Sequence, residues 1–308
     1  MMTAQQAVPA QRPSKLKIWM QAVRIFSFTA SVIPIAAGGA LALVDDAFDP
    51  LLFLVMLVAG VATHAGCNMA NDYYDHKKGV DTQESIGPSR VIQQGLLTPA
   101  QVKRGMIVAF IIATLLGLIV VASAGWPILL VALLSLAAAY FYTAGPKPLG
   151  YIALGEVTVY LFMGLAMVMG SYYVLAEQVT WPSFFVGSAI GLMAAAVLHA
   201  NNIRDIALDR RAGKKTLATI FGRRFANREY LLLLIAVYLC IVVLVAYDLV
   251  FWPTLIVFAT VPVAVRMLKL TYSEAEGPAL NPLLRKTAGL HLRFGSLLVV
   301  GLLLSALI

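Results

Sequence analysis

Apolar stretches about as long as a bilayer is thick recur along this chain, and they constrain its fold more than any other feature. A helix needs roughly 20 apolar residues to cross the hydrocarbon core. Nine such stretches fall at 18–44, 50–71, 105–124, 126–142, 151–175, 183–203, 230–249, 251–270 and 288–307. They are long and unbroken rather than alternating, which argues against a barrel of strands. The chain is 60% hydrophobic and 12% charged, with a mean hydropathy of +0.85. A soluble domain carries about 25% charged residues. The expected fold is therefore all-α: a polytopic membrane protein of about nine transmembrane helices around a central cavity opening at the cytoplasmic side. Residues 1–308 read as a single integral domain, with 1–15 as a flexible cytoplasmic tail.

Charge placement supports that count. With the N-terminus in the cytoplasm and the sides alternating, all 23 lysines and arginines fall inside. The outer loops keep only acids: Asp45, Asp46, Asp49, Glu177 and Asp248. This is the positive-inside pattern. It implies a multi-pass protein of the plasma membrane with a cytoplasmic N-terminus and an outer C-terminus. The net charge of +8 then reflects topology and attraction to anionic lipid; it needs no nucleic acid. The lipid bilayer is the implied partner, and oligomeric state is not legible. Cys67 and Cys240 lie within expected spans as small apolar residues, with no disulfide inferred.

Two short polar stretches interrupt the oil. One is Asn68-Met69-Ala70-Asn71-Asp72-Tyr73-Tyr74-Asp75, running on to Asp81. The other is Asn201-Asn202-Ile203-Arg204-Asp205-Ile206-Ala207-Leu208-Asp209. Each closes a hydrophobic run and opens a long basic loop, 72–104 and 204–229, so the pair reads as a weak internal repeat. Ionisable groups at membrane depth are costly and mark function. Asn71 and Asp75 are four residues apart, and so are Asn201, Asp205 and Asp209. That spacing puts each set on one helix face. Oxygen-only ligands suit a hard cation such as Mg²⁺, and two matching clusters suggest metal ions held against a polyanion. The bland alternative is helix-end carboxylates paired with nearby cations.

The cations fit a diphosphate. Arg90, Lys147, Arg204 and Lys214 lie near the expected mouth, and Asn68, Tyr142, Asn201 and Asn202 complete the expected substrate-binding set. Several readings stay open. Lys147 is either a diphosphate contact or a lone topology marker. Asp72 faces away from Asn71 and Asp75, and is a metal ligand or a salt-bridge partner. Glu156 is structural or touches substrate. His64 is a satisfied polar residue or an acceptor contact. Tyr73, Tyr74, Tyr142 and Tyr151 line a pocket or form an interfacial belt, the belt being the preferred reading for Tyr73 and Tyr151. Segment 271–287 reads as a connector.

These stretches resemble the UbiA-type intramembrane prenyltransferases. The resemblance rests on NMANDYYDHKKGVDT (68–82), GPSRVIQQGLLTP (87–99), FYTAGPKPLGYIALGE (141–156) and NNIRDIALDRRAGKKTLA (201–218). The GVDT and GKKTLA tails tilt it toward the branch that prenylates 1,4-dihydroxy-2-naphthoate. The resemblance implies that Asn71, Asp75, Asp205 and Asp209 are the catalytic Mg²⁺–diphosphate positions, with Asp81 as the last acid of the first motif. The commonest spacing of the family puts that acid where this chain has Gly79; here the acid falls two residues later, at Asp81.

The implied substrates are a polyprenyl diphosphate and an aromatic acceptor. The implied reaction is ionisation of the C1–O bond, attack by the naphthoate ring and loss of CO₂, giving demethylmenaquinone. A sister enzyme acting on 4-hydroxybenzoate, a chlorophyllide or haem would share fold and metals. A transporter would place its charges near the midplane, whereas these cluster at one edge.

Overall fold

The computed structural model describes residues 13–79, 89–250, 252–273 and 275–307. Asp81 and residues 1–12 lie outside them. Among the described residues the secondary structure is helical, apart from a single parallel bridge between Ile152 and Lys215. The helices are α1 (Lys15–Ala22), α2 (Thr29–Val44), α3 (Pro50–Lys77), α4 (Pro99–Ala124), α5 (Trp126–Phe141), α6 (Gly155–Tyr160) and α7 (Ala166–Ala176). They continue as α8 (Trp181–Arg204), α9 (Ile206–Arg211), α10 (Leu217–Ala246), α11 (Val261–Thr271) and α12 (Asn281–Ser305).

Eight segments among the described residues are long and apolar enough to cross a membrane: 25–44, 50–77, 99–124, 155–176, 181–204, 217–246, 252–271 and 277–305. The remaining expected span is the shorter apolar helix α5, with 16 residues. At 1.5 Å per residue it is about 24 Å long, somewhat less than a hydrocarbon core of about 30 Å. Expectation and structure differ at further places: the stretch read as the loop 204–229 is largely helical, because α10 starts at Leu217, and the first half of the eighth expected span, Trp252–Thr260, is a 3-10 helix that precedes α11. The first stretch is not one helix. Arg24 takes a left-handed backbone conformation, φ 55°, and separates α1 from the segment that leads into α2. The fifth is interrupted by a π-helical turn, Leu161–Leu165, between α6 and α7. The segment read as a connector is partly helical, because α12 begins at Asn281.

Local chemistry explains several boundaries. Asp49 caps α3 by accepting from the amides of Leu51 and Leu52 at 2.8 and 2.9 Å, and Pro50 follows at the first turn, where its missing N–H costs nothing. Thr98 and Gln101 form a reciprocal capping box at the start of α4. Gly222, φ 80°, breaks α10 near its N-terminal end.

α8 is the hub of the bundle. In its apolar window 72% of residues are buried, against 17% for α3, whose outer face carries exposed apolar side chains suited to lipid. The centre packs small residues closely. A Cβ on Gly164 would lie 2.3 Å from the Cα of Gly191, so the π-helical turn touches α8 backbone to backbone. Such small-residue contacts drive helix association where lipid offers no hydrophobic gain. α3 and α8 both end in their polar motifs at one mouth of a shared cavity. The Ile152–Lys215 bridge ties the loop after α5 to the loop after α9 beside that mouth. Ala153 N donates to Lys215 O at 2.7 Å and Lys215 N to Tyr151 O at 3.1 Å.

Candidate active site

The cavity has a volume of about 1720 Å³, well above the roughly 300–1,000 Å³ of an ordinary small-molecule site. One end is polar. Asn71, Asp75, Asn201, Asp205 and Asp209 line it together with Arg24, Lys78, Arg90, Arg204, Arg211, Lys214 and Arg285. The rest is apolar and reaches Ile35, Met56, Val120, Ile128 and Val174. A charged head and a long hydrocarbon tail fit such a space.

The first motif sits on the last turns of α3. Asn71 Oδ1 accepts from the Thr143 hydroxyl at 2.8 Å, and Asp75 Oδ1 from the Tyr151 hydroxyl at 2.7 Å. Asp72 points away and is buried against Arg24, with NH2 to Oδ1 at 2.5 Å. The salt-bridge reading of Asp72 is the one the structure contains. Asn68 donates to Val23 O at 2.8 Å and to Ser27 Oγ at 3.1 Å. His64 hydrogen-bonds Ser31 at 2.7 Å and Ser27 at 3.1 Å while also lining the cavity. Asn68 and His64 thus brace the short segment between α1 and α2.

The second motif straddles a break. α8 ends at Arg204 and α9 starts at Ile206, with Asp205 between them at φ −96° and ψ 9°. The i to i+4 amide bonds persist, Asp205 N to Asn201 O at 3.0 Å and Asp209 N to Asp205 O at 2.8 Å. The one-face reading therefore survives the kink. Arg204 binds both oxygens of Asp205 at 2.6 Å, and also reaches Asn201 Oδ1 at 2.8 Å and Asn281 Oδ1 at 3.1 Å. Lys214 Nζ lies 3.5 Å from Asp209 Oδ1, while the buried Asp209 Oδ2 has no hydrogen-bond partner. Burial pushes the Asp209 carboxyl above its usual range; Lys214 pulls it down and Asp205 adds to the rise.

The donor set suits a hard dication. Asn71, Asp75 and Asp209 present oxygens to one cavity, and an orphaned buried carboxylate oxygen on Asp209 lacks the partner that such groups require. Asp205 is already held by Arg204 and would have to share its oxygens.

Not every expected residue reaches the cavity. Asn202 does not line it: its amide turns behind α8 and donates to Glu156 Oε1 at 2.8 Å. Adjacent residues on a helix diverge by about 100°, so Asn201 and Asn202 cannot share a face. Lys147 is exposed in the loop after α5 and is not part of the cavity lining. Lys78 is there instead, donating to Thr143 O at 2.8 Å and lying 5.0 Å over the Tyr151 ring. Glu156 is buried and also lies off the lining. Arg90, Tyr142 and Lys214 do line the cavity. Tyr151 lines it too, the pocket reading rather than the preferred interfacial belt, and Arg24, Lys78, Arg211, Asn281 and Arg285 join them, although sequence reasoning gave none of these five a site role. For Arg24 and Lys78 a signal existed: each lies within a few residues of a polar stretch or a span end.

Residues 31–282 match the model of the UbiA prenyltransferase family. The chain is 34% identical to the 1,4-dihydroxy-2-naphthoate octaprenyltransferase of Escherichia coli (strain K12) over 302 residues, 96% of this chain and 98% of the relative. It is 33% identical to the protein of the same name from Bacillus subtilis (strain 168), covering 96% of this chain and 95% of the relative. It is 31% identical to UbiA prenyltransferase domain-containing protein 1 of Gallus gallus, covering 94% and 86%. The apo structure of a UbiA homolog from Aeropyrum pernix K1 superposes with a TM-score of 0.70 at 16% identity, covering 90% of this chain and 98% of that one. A UbiA homolog from Archaeoglobus fulgidus bound to GPP and Mg²⁺ superposes with a TM-score of 0.64 at 15% identity, covering 92% and 99%. Sequence match and fold agree on a stretch that contains both polar motifs, and the chain belongs to the UbiA prenyltransferase family.

Proposed function

We propose that this protein transfers a polyprenyl group from a polyprenyl diphosphate to 1,4-dihydroxy-2-naphthoate with loss of CO₂, in a Mg²⁺-dependent reaction of menaquinone biosynthesis. The observation that carries the reading is the cavity itself, with two oxygen-ligand sets at a cationic mouth and a long apolar interior behind them. Relatives that span almost the whole chain bear the naphthoate prenyltransferase name. By charge placement the mouth faces the cytoplasm.

Asn71, Asp75 and Asp209 are the residues we assign to holding Mg²⁺, with Asp205 sharing its oxygens with Arg204. Mg²⁺ in such a site neutralises diphosphate charge as a Lewis acid and template. Lys214, Arg211 and Arg285 line the same end and add charge-assisted contacts to the phosphate oxygens, which leaves Arg90 for the carboxylate of the acceptor. The C1–O bond breaks and its electron pair leaves with the diphosphate. The apolar wall, with Cys67 and Ala139 behind the polar end, keeps water from the allylic cation. The ring carbon bearing the carboxylate attacks C1. Its bond to the carboxylate then breaks, CO₂ leaves, and the electron pair restores the aromatic ring. The product is a prenylated 1,4-diol, the reduced form of demethylmenaquinone.

The test is a competition assay. Purified protein receives a prenyl diphosphate and Mg²⁺ with 1,4-dihydroxy-2-naphthoate and 4-hydroxybenzoate together, and product masses are read. The expected product is the decarboxylated prenyl naphthalenediol. Prenylated hydroxybenzoate as the main product moves the chain to another acceptor class, and no prenylated product overturns the transferase reading.

A further inference from the structure

Behind the cavity, three titratable side chains meet in the packed interior between α6, α8 and α10. His199 Nδ1 lies 3.0 Å from Glu156 Oε1 and 3.7 Å from Glu229 Oε2. One ligand atom from each residue fits within 4.8 Å of the others. None of the three lines the cavity, so the cluster is separate from the diphosphate site.

The hydrogen bonds define what the cluster lacks. His199 Nε2 lies 2.8 Å from Ala226 O. A carbonyl can only accept, so Nε2 carries a proton and donates. The lone pair of a neutral ring is then on Nδ1, aimed at two carboxylates that are also acceptors. Three electron-rich atoms face one another, and a cation must sit among them. Glu156 Oε2, Glu229 Oε2 and Asn202 Oδ1 are all buried without a hydrogen-bond partner. Glu156 is only 5% exposed and Asn202 2%. Among the described residues no lysine or arginine is within ion-pair distance of either glutamate. A single shared proton would leave a net negative charge in a dry interior, which is costly; a divalent ion, like a second proton on Glu229, brings two carboxylates and one imidazole to zero, and only the ion also gives the orphaned carboxylate oxygens a partner at the centre of the cluster.

We propose that Glu156, His199 and Glu229 form a second metal centre, which takes one divalent transition-metal ion of the zinc class. The separations of 3.0 and 3.7 Å bracket the value of about 3.4 Å between ligands on a tetrahedral ion with bonds near 2.1 Å. A histidine with one nitrogen on the ion and the other donating to a backbone carbonyl is the usual support of such a ligand, and Ala226 supplies that carbonyl. Mixed imidazole and carboxylate donors suit zinc or a neighbouring first-row ion more than magnesium. Asn202 Nδ2 holds Glu156 Oε1 at 2.8 Å. The ion would clamp α6 and α10 to α8 two residues before the second motif begins at Asn201. Glu229, whose side chain is 16% exposed, marks the side of entry.

The test uses the full-length protein in detergent, stripped with chelator and titrated with Co²⁺ in excess Mg²⁺. The Asp75→Ala/Asp209→Ala double variant, which lacks the proposed magnesium site, should still bind about one equivalent of Co²⁺ with the intense visible absorption of a low-coordinate site. His199→Gln and Glu156→Gln should weaken that binding by more than 100-fold, beyond the roughly 10–100-fold that loss of an outer hydrogen bond costs. No saturable uptake by the double variant overturns the proposal and leaves a shared proton as the cation. Uptake that survives His199→Gln overturns it as well. Neither outcome depends on whether the chain prenylates naphthoate.

Discussion

The Tyr151 hydroxyl donates to Asp75 Oδ1 at 2.7 Å, and that bond joins the two halves of the site. Tyr151 also accepts through its carbonyl from Lys215 N at 3.1 Å. Lys215 is next to Lys214, which pairs with Asp209 at 3.5 Å. The chain of contacts therefore runs from one carboxylate motif to the other through two loops. Tyr151→Phe should remove the orientation of Asp75 while leaving its charge. An outer-sphere hydrogen bond is worth about 10–100-fold in metal affinity or activity. The expected result is a rise of at least about 10-fold in the Mg²⁺ concentration for half-maximal rate, with the fold unchanged by circular dichroism. An unchanged Mg²⁺ dependence would show that Tyr151 is only an interfacial residue.

Asp75→Ala and Asp209→Ala should each abolish turnover and leave a folded protein in detergent. Each removes oxygens whose interaction strengthens as the diphosphate departs. Chelator should silence the wild type, and added Mg²⁺ should restore it. Full activity in either variant would remove the two-motif assignment.

Acidity should act on the second motif. Burial holds the Asp209 carboxyl above its normal range, so a proton competes with the ion at higher pH than at an ordinary aspartate. Only the ionised carboxylate is a ligand. Apparent Mg²⁺ affinity should therefore fall as pH drops through the raised value and recover above it. Lys214 opposes the rise, so Lys214→Met should move the acid limb to still higher pH. Mg²⁺ titrations at several pH values check both signs. A Lys214→Met limb at lower pH would contradict the electrostatics.

The ion pair between Arg24 and Asp72 is structural in a different sense. Its side chains are 18% and 5% exposed. Breaking a buried pair by removing one partner costs about 3–5 kcal/mol. Arg24 retains some solvent, so Arg24→Met should lose about 3 kcal/mol, at the lower end of that range. A fall in thermal midpoint in detergent measures it. Restoring neutrality with Asp72→Asn on top should recover part of the loss.

The sequence showed those parts of the site that repeat locally. The four-residue spacing of Asn71 and Asp75, and of Asn201, Asp205 and Asp209, reads directly as a helix face. The apolar runs read as spans because length and composition decide them. What was hidden depended on contacts far apart in sequence. Nothing local shows that Ile152 bridges Lys215 and so brings Tyr151 to Asp75. Asn201 and Asn202 are chemically alike, and only the packed orientation of α8 tells which one faces the cavity. Arg24 arrives through a left-handed turn inside what reads as one unbroken span. Lys147 and Lys78 traded places because loop paths, not charge counts, decide which cation reaches the mouth.

The acceptor provides the last test. Attack at the carboxyl-bearing carbon requires the ring carboxylate to be held until the new bond forms, and then lost. A cation at the mouth can hold it. Arg90 lines the cavity while Lys147 does not. Arg90→Gln should raise the acceptor KM more than the KM for the prenyl diphosphate. Lys147→Gln should change neither by more than about 2-fold, since exposed charges interact weakly across solvent. With the carboxylate of 1,4-dihydroxy-2-naphthoate isotopically labelled, the label should appear as CO₂ in step with prenylated product. Release follows bond formation, so label should not escape when the prenyl diphosphate is omitted. Label retained in the prenylated product would reject decarboxylating transfer and place the attack at a different ring carbon.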